Sequence, residues 1–253
     1  MRTRIPLFAA NWKMYKTPDE ARAYAEALLE PAKRFARLAS IAIVAPFVDL
    51  PALKSALAGS LIAVGAQDCY WEPEGAFTGE VSAAMLGAMK VDYCIVGHSE
   101  RRRLFGETDE MVALKTSALI AEGVTPIVCV GETLDEKQSG RTRERVTAQT
   151  LSALGHLTPE QRRDVIVAYE PVWAIGTGLA DDPANADETV GYIRSALGGL
   201  DDAWVLYGGS MKPDNAAAFC KQSNINGGLV GSASLNPQAF CELVAEGLRA
   251  YAE

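Results

Sequence analysis

The sequence predicts an α/β protein, a single (β/α)8 barrel domain over residues 1–253, and three observations carry that expectation. Short apolar runs alternate with longer amphipathic segments, and the count of runs reaches eight. Alternation of this kind within one chain means parallel strands joined by helical crossovers. No linker, low-complexity tract or shift of composition divides the chain. Its 253 residues match the length of about 250 usual for such a barrel. An open doubly wound sheet shows the same alternation, but its usual mark, G-x-G-x-x-G after the first strand, does not occur.

In chain order, the strand candidates are residues 5–10, 41–45, 61–66, 93–97, 125–130, 165–169, 204–207 and 228–230. Each is short, apolar and mostly β-branched or small, the pattern of a strand buried on both faces. Helical patterns lie between them. Thr17-Pro18-Asp19-Glu20 opens the first with a cap residue, proline at the first helical position and glutamate three after the cap, a capping box. Gly123 stops the helix over 113–122 before the fifth strand, and Asn236-Pro237 opens the last helix.

Composition excludes several classes of function. With 49% hydrophobic and 22% charged residues the chain reads as an ordinary globular protein. A net charge of −8 argues against general nucleic-acid binding, which rests on phosphate neutralisation by Lys and Arg. The basic groups Arg101-Arg102-Arg103 and Arg141, Arg143, Arg145 are flanked by acids and read as ion-paired or solvated faces. Cys69, Cys94, Cys129, Cys220 and Cys241 are odd in number, scattered and without a C-x-x-C pair, so reduced buried thiols are expected. The run 5–10 is too short and too interrupted by Pro6 for a secretory core, and no run approaches the ~18 apolar residues of a membrane span. A cytoplasmic location is the resulting expectation. No zinc-type spacing of His and Cys occurs, and no metal is expected.

The chemistry-bearing residues gather where strands end. Residues 165–169 run into Glu170, followed by Pro171, an apolar tip Val172-Trp173-Ala174-Ile175, and Gly176-Thr177-Gly178. An acid beside a hinged, water-excluding flap suits proton transfer, while a turn bearing a surface glutamate is the plainer alternative. The first strand runs into Asn11-Trp12-Lys13 and the fourth into Gly97-His98-Ser99-Glu100-Arg101. In a barrel all these ends share one rim. A solvent-facing Lys13 and a structural His98 are the alternatives at those positions, and His156 reads as a loop histidine. The fourth-strand motif approaches a G-x-S-x-G nucleophile elbow, but Arg101 replaces the last glycine and no triad histidine remains beyond His98. Tyr207-Gly208-Gly209-Ser210 and Gly228-Leu229-Val230-Gly231-Ser232 follow or contain the last two strands, where barrels recurrently hold phosphate on backbone N–H groups. Ordinary glycine turns are the alternative there.

Taken together, Asn11-Trp12-Lys13, Gly75-Ala76-Phe77-Thr78-Gly79-Glu80, Val96 to Arg102, Tyr169 to Gly178 and Tyr207 to Ser210 resemble the triosephosphate isomerase family, in order and over essentially the whole chain. The resemblance implies a TIM barrel that interconverts dihydroxyacetone phosphate and D-glyceraldehyde 3-phosphate through a cis-enediolate, without metal or organic cofactor. It makes Glu170 the base, His98 a neutral electrophile, and Lys13 and Asn11 donors to substrate oxygens. Glu100 would support Lys13, and Ser99 would open a short helix whose N-terminal end disfavours imidazolium at His98. Phosphate would sit on the backbone N–H groups of Gly176, Ser210, Gly231 and Ser232, with residues 171–177 (Pro171, Val172, Trp173, Ala174, Ile175, Gly176, Thr177) as the lid. The family commonly has a second glycine where this chain has Ser232, which therefore needs negative φ or a tolerated turn geometry to serve. Family members are usually dimers whose loop bearing Phe77-Thr78-Gly79 enters a neighbour's pocket near Lys13, beside Met14 here. Two rival readings share the residues: a barrel lyase forming a Schiff base on Lys13, and a non-catalytic phosphosugar-binding protein.

Overall fold

The computed structural model describes residues 5–175, 180–196 and 203–252. Eight strands appear in chain order: β1 (Leu7–Asn11), β2 (Ser40–Ala45), β3 (Ile62–Ala66), β4 (Tyr93–Val96), β5 (Thr125–Val130), β6 (Ile166–Tyr169), β7 (Val205–Tyr207) and β8 (Gly227–Val230). Each pairs in parallel with its sequence neighbours, and β1 pairs with β8, so the sheet closes into a barrel. The eight apolar runs therefore correspond to the eight strands. Their ends differ by a residue or two. The first run starts at residue 5 but pairing starts at Leu7, after Pro6, which has no N–H to donate. Gly97 lies beyond β4 because its φ of 72° turns the chain out of the strand.

Side chains along each strand alternate between two cores. Leu7, Ala9, Val44, Ile95, Ile127, Ile166, Ala168 and Leu229 fill the barrel interior. Phe8, Ala10, Ile43, Val96, Val128, Val167 and Tyr207 point outward and pack beneath the helices. Parity then decides what reaches the mouth. Asn11 continues the inward series Leu7, Ala9, and Glu170 continues Ile166, Ala168.

The helix signals act as read. In the helix Pro18–Ala32 the Thr17 amide donates to the Glu20 carboxylate at 2.8 Å. The Asn236 side-chain Oδ1 accepts from the amides of Gln238 and Ala239 to open the helix Pro237–Ala252. Gly123, with φ 69°, follows the helix Asp109–Ala121. All five cysteines are buried and none is in a disulfide. Arg101 pairs with Asp68 at 2.7 Å and Glu107 at 3.2 Å, and Arg102 pairs with Asp109, as the flanking acids indicated. Among the described residues no helix is long and apolar enough to cross a membrane.

Candidate active site

The C-terminal ends of the strands surround a cleft of about 500 Å³ lined by Asn11, Lys13, His98, Glu100, Glu170, Ser210, Gly231 and Ser232, among others. Residues from both ends of the chain thus share one cavity. Just past β1 the backbone of Lys13 takes φ 55°, a left-handed conformation uncommon for a side-chain-bearing residue. Its amide donates to Asn11 Oδ1 at 3.0 Å, and its Nζ donates to Glu100 Oε1 at 2.6 Å. Gln67, directly after β3, donates to Asn11 Oδ1 (3.3 Å), to the Lys13 carbonyl (2.9 Å) and to the Val44 carbonyl (3.1 Å). Asn11 Oδ1 is therefore occupied, and its NH2 is the group left for a ligand. Sequence reasoning missed Gln67, although a polar residue just beyond a strand end is the same signal that marked Lys13 and His98.

His98 and Glu170 meet across the barrel mouth, with His98 Nε2 2.9 Å from Glu170 Oε1. The second carboxylate oxygen of Glu170 accepts from the Ser99 amide at 2.8 Å. Ser99 is the first residue of the helix Ser99–Phe105, so this bond is made by an otherwise orphan helical N–H. Burial works to raise the Glu170 pKa, but His98, the Ser99 amide and Lys13 outweigh it and hold the carboxyl below its ordinary value. At His98 burial opposes the imidazolium, yet the Glu170 and Glu100 carboxylates draw the pKa upward. The upward pull comes from carboxylates in direct contact with the ring or close to it. Geometry still favours the neutral ring: Nδ1 accepts from the Glu100 amide at 3.2 Å, so the proton sits on Nε2 and faces Glu170.

Close backbone approach makes room for the acid. A Cβ on Gly208 would fall 2.9 Å from Glu170 Cγ, and one on Gly131 would fall 1.7 Å from the Glu170 carbonyl oxygen. Beside the acid, the lid sequence starts as a single turn, Val172–Ala174. Trp173 Nε1 donates to Glu132 at 2.9 Å, the Tyr169 hydroxyl donates to the same oxygen at 3.2 Å, and Lys137 lies 3.8 Å over the Trp173 ring. Glu132, fully buried two residues beyond β5, is a second residue that sequence reasoning missed. Burial raises its pKa, against the opposing hydrogen bond from Trp173.

The glycine turns flank Lys13. A Cβ on Gly231 would lie 3.6 Å from Lys13 Cε. Ser232 opens the turn Ser232–Ser234 and is absent from the positive-φ residues, so its Cβ is accommodated. Ser210 donates from its hydroxyl to the Ala174 carbonyl at 3.4 Å, linking β7's turn to the lid sequence. Gly176 and Thr177 lie outside the described residues. Phe77 packs at a tilt of 39° against Tyr70 with ring centroids 4.4 Å apart, and Gly79 has φ 100°. Neither these two nor Thr78 lines the cleft of its own chain. Met14 is 92% exposed, beside a second cavity of about 300 Å³ that also touches Asn11, Lys13 and His98.

Comparison with known proteins agrees with this geometry. The family model for triosephosphate isomerase matches residues 6–247. A triosephosphate isomerase of Carboxydothermus hydrogenoformans is 46% identical over 247 residues, covering 95% of this chain and 98% of that protein. The triosephosphate isomerase of Symbiobacterium thermophilum is 45% identical over 255 residues, 98% of this chain and 99% of that one. Solibacter usitatus has another at 46% identity over 247 residues, with 95% and 99% coverage. By its barrel, the groups at the barrel's mouth and this likeness along almost its whole length, the chain belongs to the triosephosphate isomerase family.

Proposed function

We propose that the chain interconverts dihydroxyacetone phosphate and D-glyceraldehyde 3-phosphate, with Glu170 moving a proton between the two carbons of a cis-enediolate. The observation that carries this reading is the meeting of Lys13, His98 and Glu170 around one cleft beside a glycine-lined turn. Both oxygens of Glu170 are engaged, by His98 and by the Ser99 amide. Substrate binding turns Glu170 from these donors to the substrate carbon. It thereby loses the partners that depress its pKa while remaining buried, and becomes a stronger base.

The same movement frees His98 Nε2–H for the substrate carbonyl oxygen. A base alone supplies roughly 10²–10⁴-fold, so the oxygen that gains charge also needs donors. His98, the NH2 of Asn11 and the ammonium of Lys13 provide them, each worth about 2.7–4 kcal/mol where comparable sites have been dissected. Glu100 orients Lys13 through their 2.6 Å ion pair. That pair also weighs against a Schiff base on Lys13, which needs an uncharged amine. The amides of Ser210, Gly231, Ser232 and Gly176 hold the phosphate, and closure of residues 171–177 keeps water from the intermediate.

We further infer a cytoplasmic homodimer in which the Phe77-Thr78-Gly79 loop of one copy fills the cavity beside Met14 of the other. Exposed Met14, Phe105 and Leu104 near that cavity support the reading, being apolar surface that a second copy would cover. The whole chain acts as one barrel domain. A coupled assay of triose phosphate isomerisation tests the activity, and Glu170→Gln tests its base: kcat is expected to fall by roughly 10²–10⁴-fold with phosphate-analogue affinity nearly kept. A near-normal kcat in this variant removes Glu170 as the base.

A further inference from the structure

The turn after β1 touches the turn after β8 from two sides. Lys13 approaches it from within the cleft, its Cε 3.6 Å from where a Gly231 Cβ would lie. On the far side stand two groups the mechanism does not use. The Tyr24 hydroxyl, on a buried side chain of the helix Pro18–Ala32, donates to the Ser234 carbonyl at 2.7 Å. Lys16 Nζ donates to the next carbonyl, that of Leu235, at 3.1 Å.

These two donors are themselves held. Tyr24 packs edge-on against the buried Trp12 ring with centroids 4.8 Å apart. The Lys16 ammonium lies 5.2 Å from the Trp12 centroid and 4.9 Å from that of Tyr24, a cation–π arrangement over both rings. Lys16 also takes a left-handed backbone, φ 78°, and such strain persists only where surrounding contacts over-determine it. Inside the turn, the single Ser234 O–H lies within donating distance of the carbonyls of Gly231 (2.7 Å) and Val230 (2.9 Å). The Ser234 and Leu235 carbonyls are thus taken from outside, and those of Gly231 and Ser232 accept within the turn from the amides of Ser234 (2.9 Å) and Leu235 (3.2 Å), which leaves the N–H groups of Gly231 and Ser232, at the lining of the cleft, for a ligand.

We propose that Tyr24 and Lys16 are positioning residues for the anion cradle: they clamp the carbonyl side of the β8 turn so that its amides present one fixed geometry to the substrate phosphate. The clamp ties the cradle to the segment that carries Asn11 and Lys13, so the phosphate end and the reacting end of the substrate are set by one short stretch of chain. This rests on the reading of Gly231 and Ser232 as the phosphate site. Loss of either donor lets the turn relax and weakens phosphate binding alike in ground and transition states, which raises KM and leaves kcat in place.

The test is steady-state kinetics with glyceraldehyde 3-phosphate, and competitive inhibition by inorganic phosphate, for the unaltered chain, Tyr24→Phe, Lys16→Met and Lys16→Arg. Tyr24→Phe keeps the ring on Trp12 and removes only the hydroxyl. Lys16→Met keeps most of the stem and removes the ammonium. In both, KM and the phosphate inhibition constant are expected to rise together by about threefold to tenfold, the scale of one hydrogen bond, with kcat within about twofold. Lys16→Arg, which keeps a cationic donor, is expected to recover most of the loss. Unchanged constants in both variants, or a fall in kcat at unchanged KM, overturn the clamp while phosphate still competes in the unaltered chain. If phosphate does not compete with substrate even there, it is the cradle reading that fails, and the clamp falls with it. Because the two substitutions stand on different elements, poor folding of Tyr24→Phe leaves Lys16→Met to decide.

Discussion

His98 and Glu170 are engaged with one another at 2.9 Å. The carboxylate takes an imidazole N–H on one oxygen and a helix amide on the other, so it is held charged although only 2% exposed. Such a pair is a resting arrangement, because the base is least basic while both donors remain in place. His98→Gln keeps an N–H donor of similar reach but loses the geometry set at Nδ1 by the Glu100 amide. Its kcat is expected to drop by about 10²–10³-fold with KM little changed, as measured by steady-state assay. A loss confined to KM would instead make His98 a binding group. Gln67 belongs to the same scale: its NH2 and the Lys13 amide both donate to Asn11 Oδ1, which sets which end of Asn11 faces the ligand.

At the level of elements, the site depends on where strands pass one another without side chains between them. β7's turn runs so close to the end of β6 that Gly208 has no room for a Cβ, the nearest obstacle being Glu170 Cγ at 2.9 Å. Gly208→Ala is therefore expected to push the carboxylate off its line, costing kcat about tenfold or more and leaving the melting temperature within a few degrees. Unchanged kcat would mean that Glu170 can shift at no cost. Gly131 is more severely enclosed, because there the obstacle is backbone. The carboxylate of Glu132 plays a related part, gathering the end of β6 and the start of the lid sequence through Tyr169 and Trp173.

Across the whole molecule, a buried charge cluster stands behind the catalytic rim. Lys115 Nζ donates to Asp68 at 2.7 Å and Glu107 at 3.0 Å, Arg101 binds both acids, and Glu107 accepts from the Gly97 amide at 3.0 Å. Burial opposes the charge on Lys115, but Glu107 and Asp68 prevail and its pKa is raised. A raised folded pKa means stability fully present below the unfolded lysine value of about 10.4 and lost as pH climbs through the higher folded value. Thermal melts of the unaltered chain are expected to fall across that alkaline window. Lys115→Met melts lower at neutral pH, by an amount worth about 3–5 kcal/mol, since two buried acids lose a partner, and shows a smaller alkaline decline. An equal decline in both would place the alkaline step elsewhere. The apolar surface around Met14 belongs to this scale as well. Met14→Glu puts a charge where a second copy is inferred to sit, and sedimentation velocity is expected to show monomer with reduced activity; an unchanged dimer would sink that arrangement.

Much of this was legible from residues alone. Eight apolar runs corresponded to eight strands because a strand buried on both faces admits few other residue types, and strand-end polar residues stand out against that background. Thr17, Gly123 and Asn236 acted as local signals do, through bonds to neighbours a few residues away. Family likeness followed from motifs in order. What sequence could not tell is how groups distant along the chain treat one another. The upward draw on the His98 pKa comes chiefly from Glu170, 72 residues on, a charge that only folding brings into contact with the ring. Gln67 and Glu132 share only the strand-end signal and Tyr24 and Lys16 carry none; the roles of all four exist only once barrel closure brings β3, β5, β8 and the first helix to the same rim. Local chemistry determined the elements and the kinds of residue at their ends, whereas barrel closure decided which of them meet, because contact at 3 Å is a property of three-dimensional packing and not of spacing along a chain.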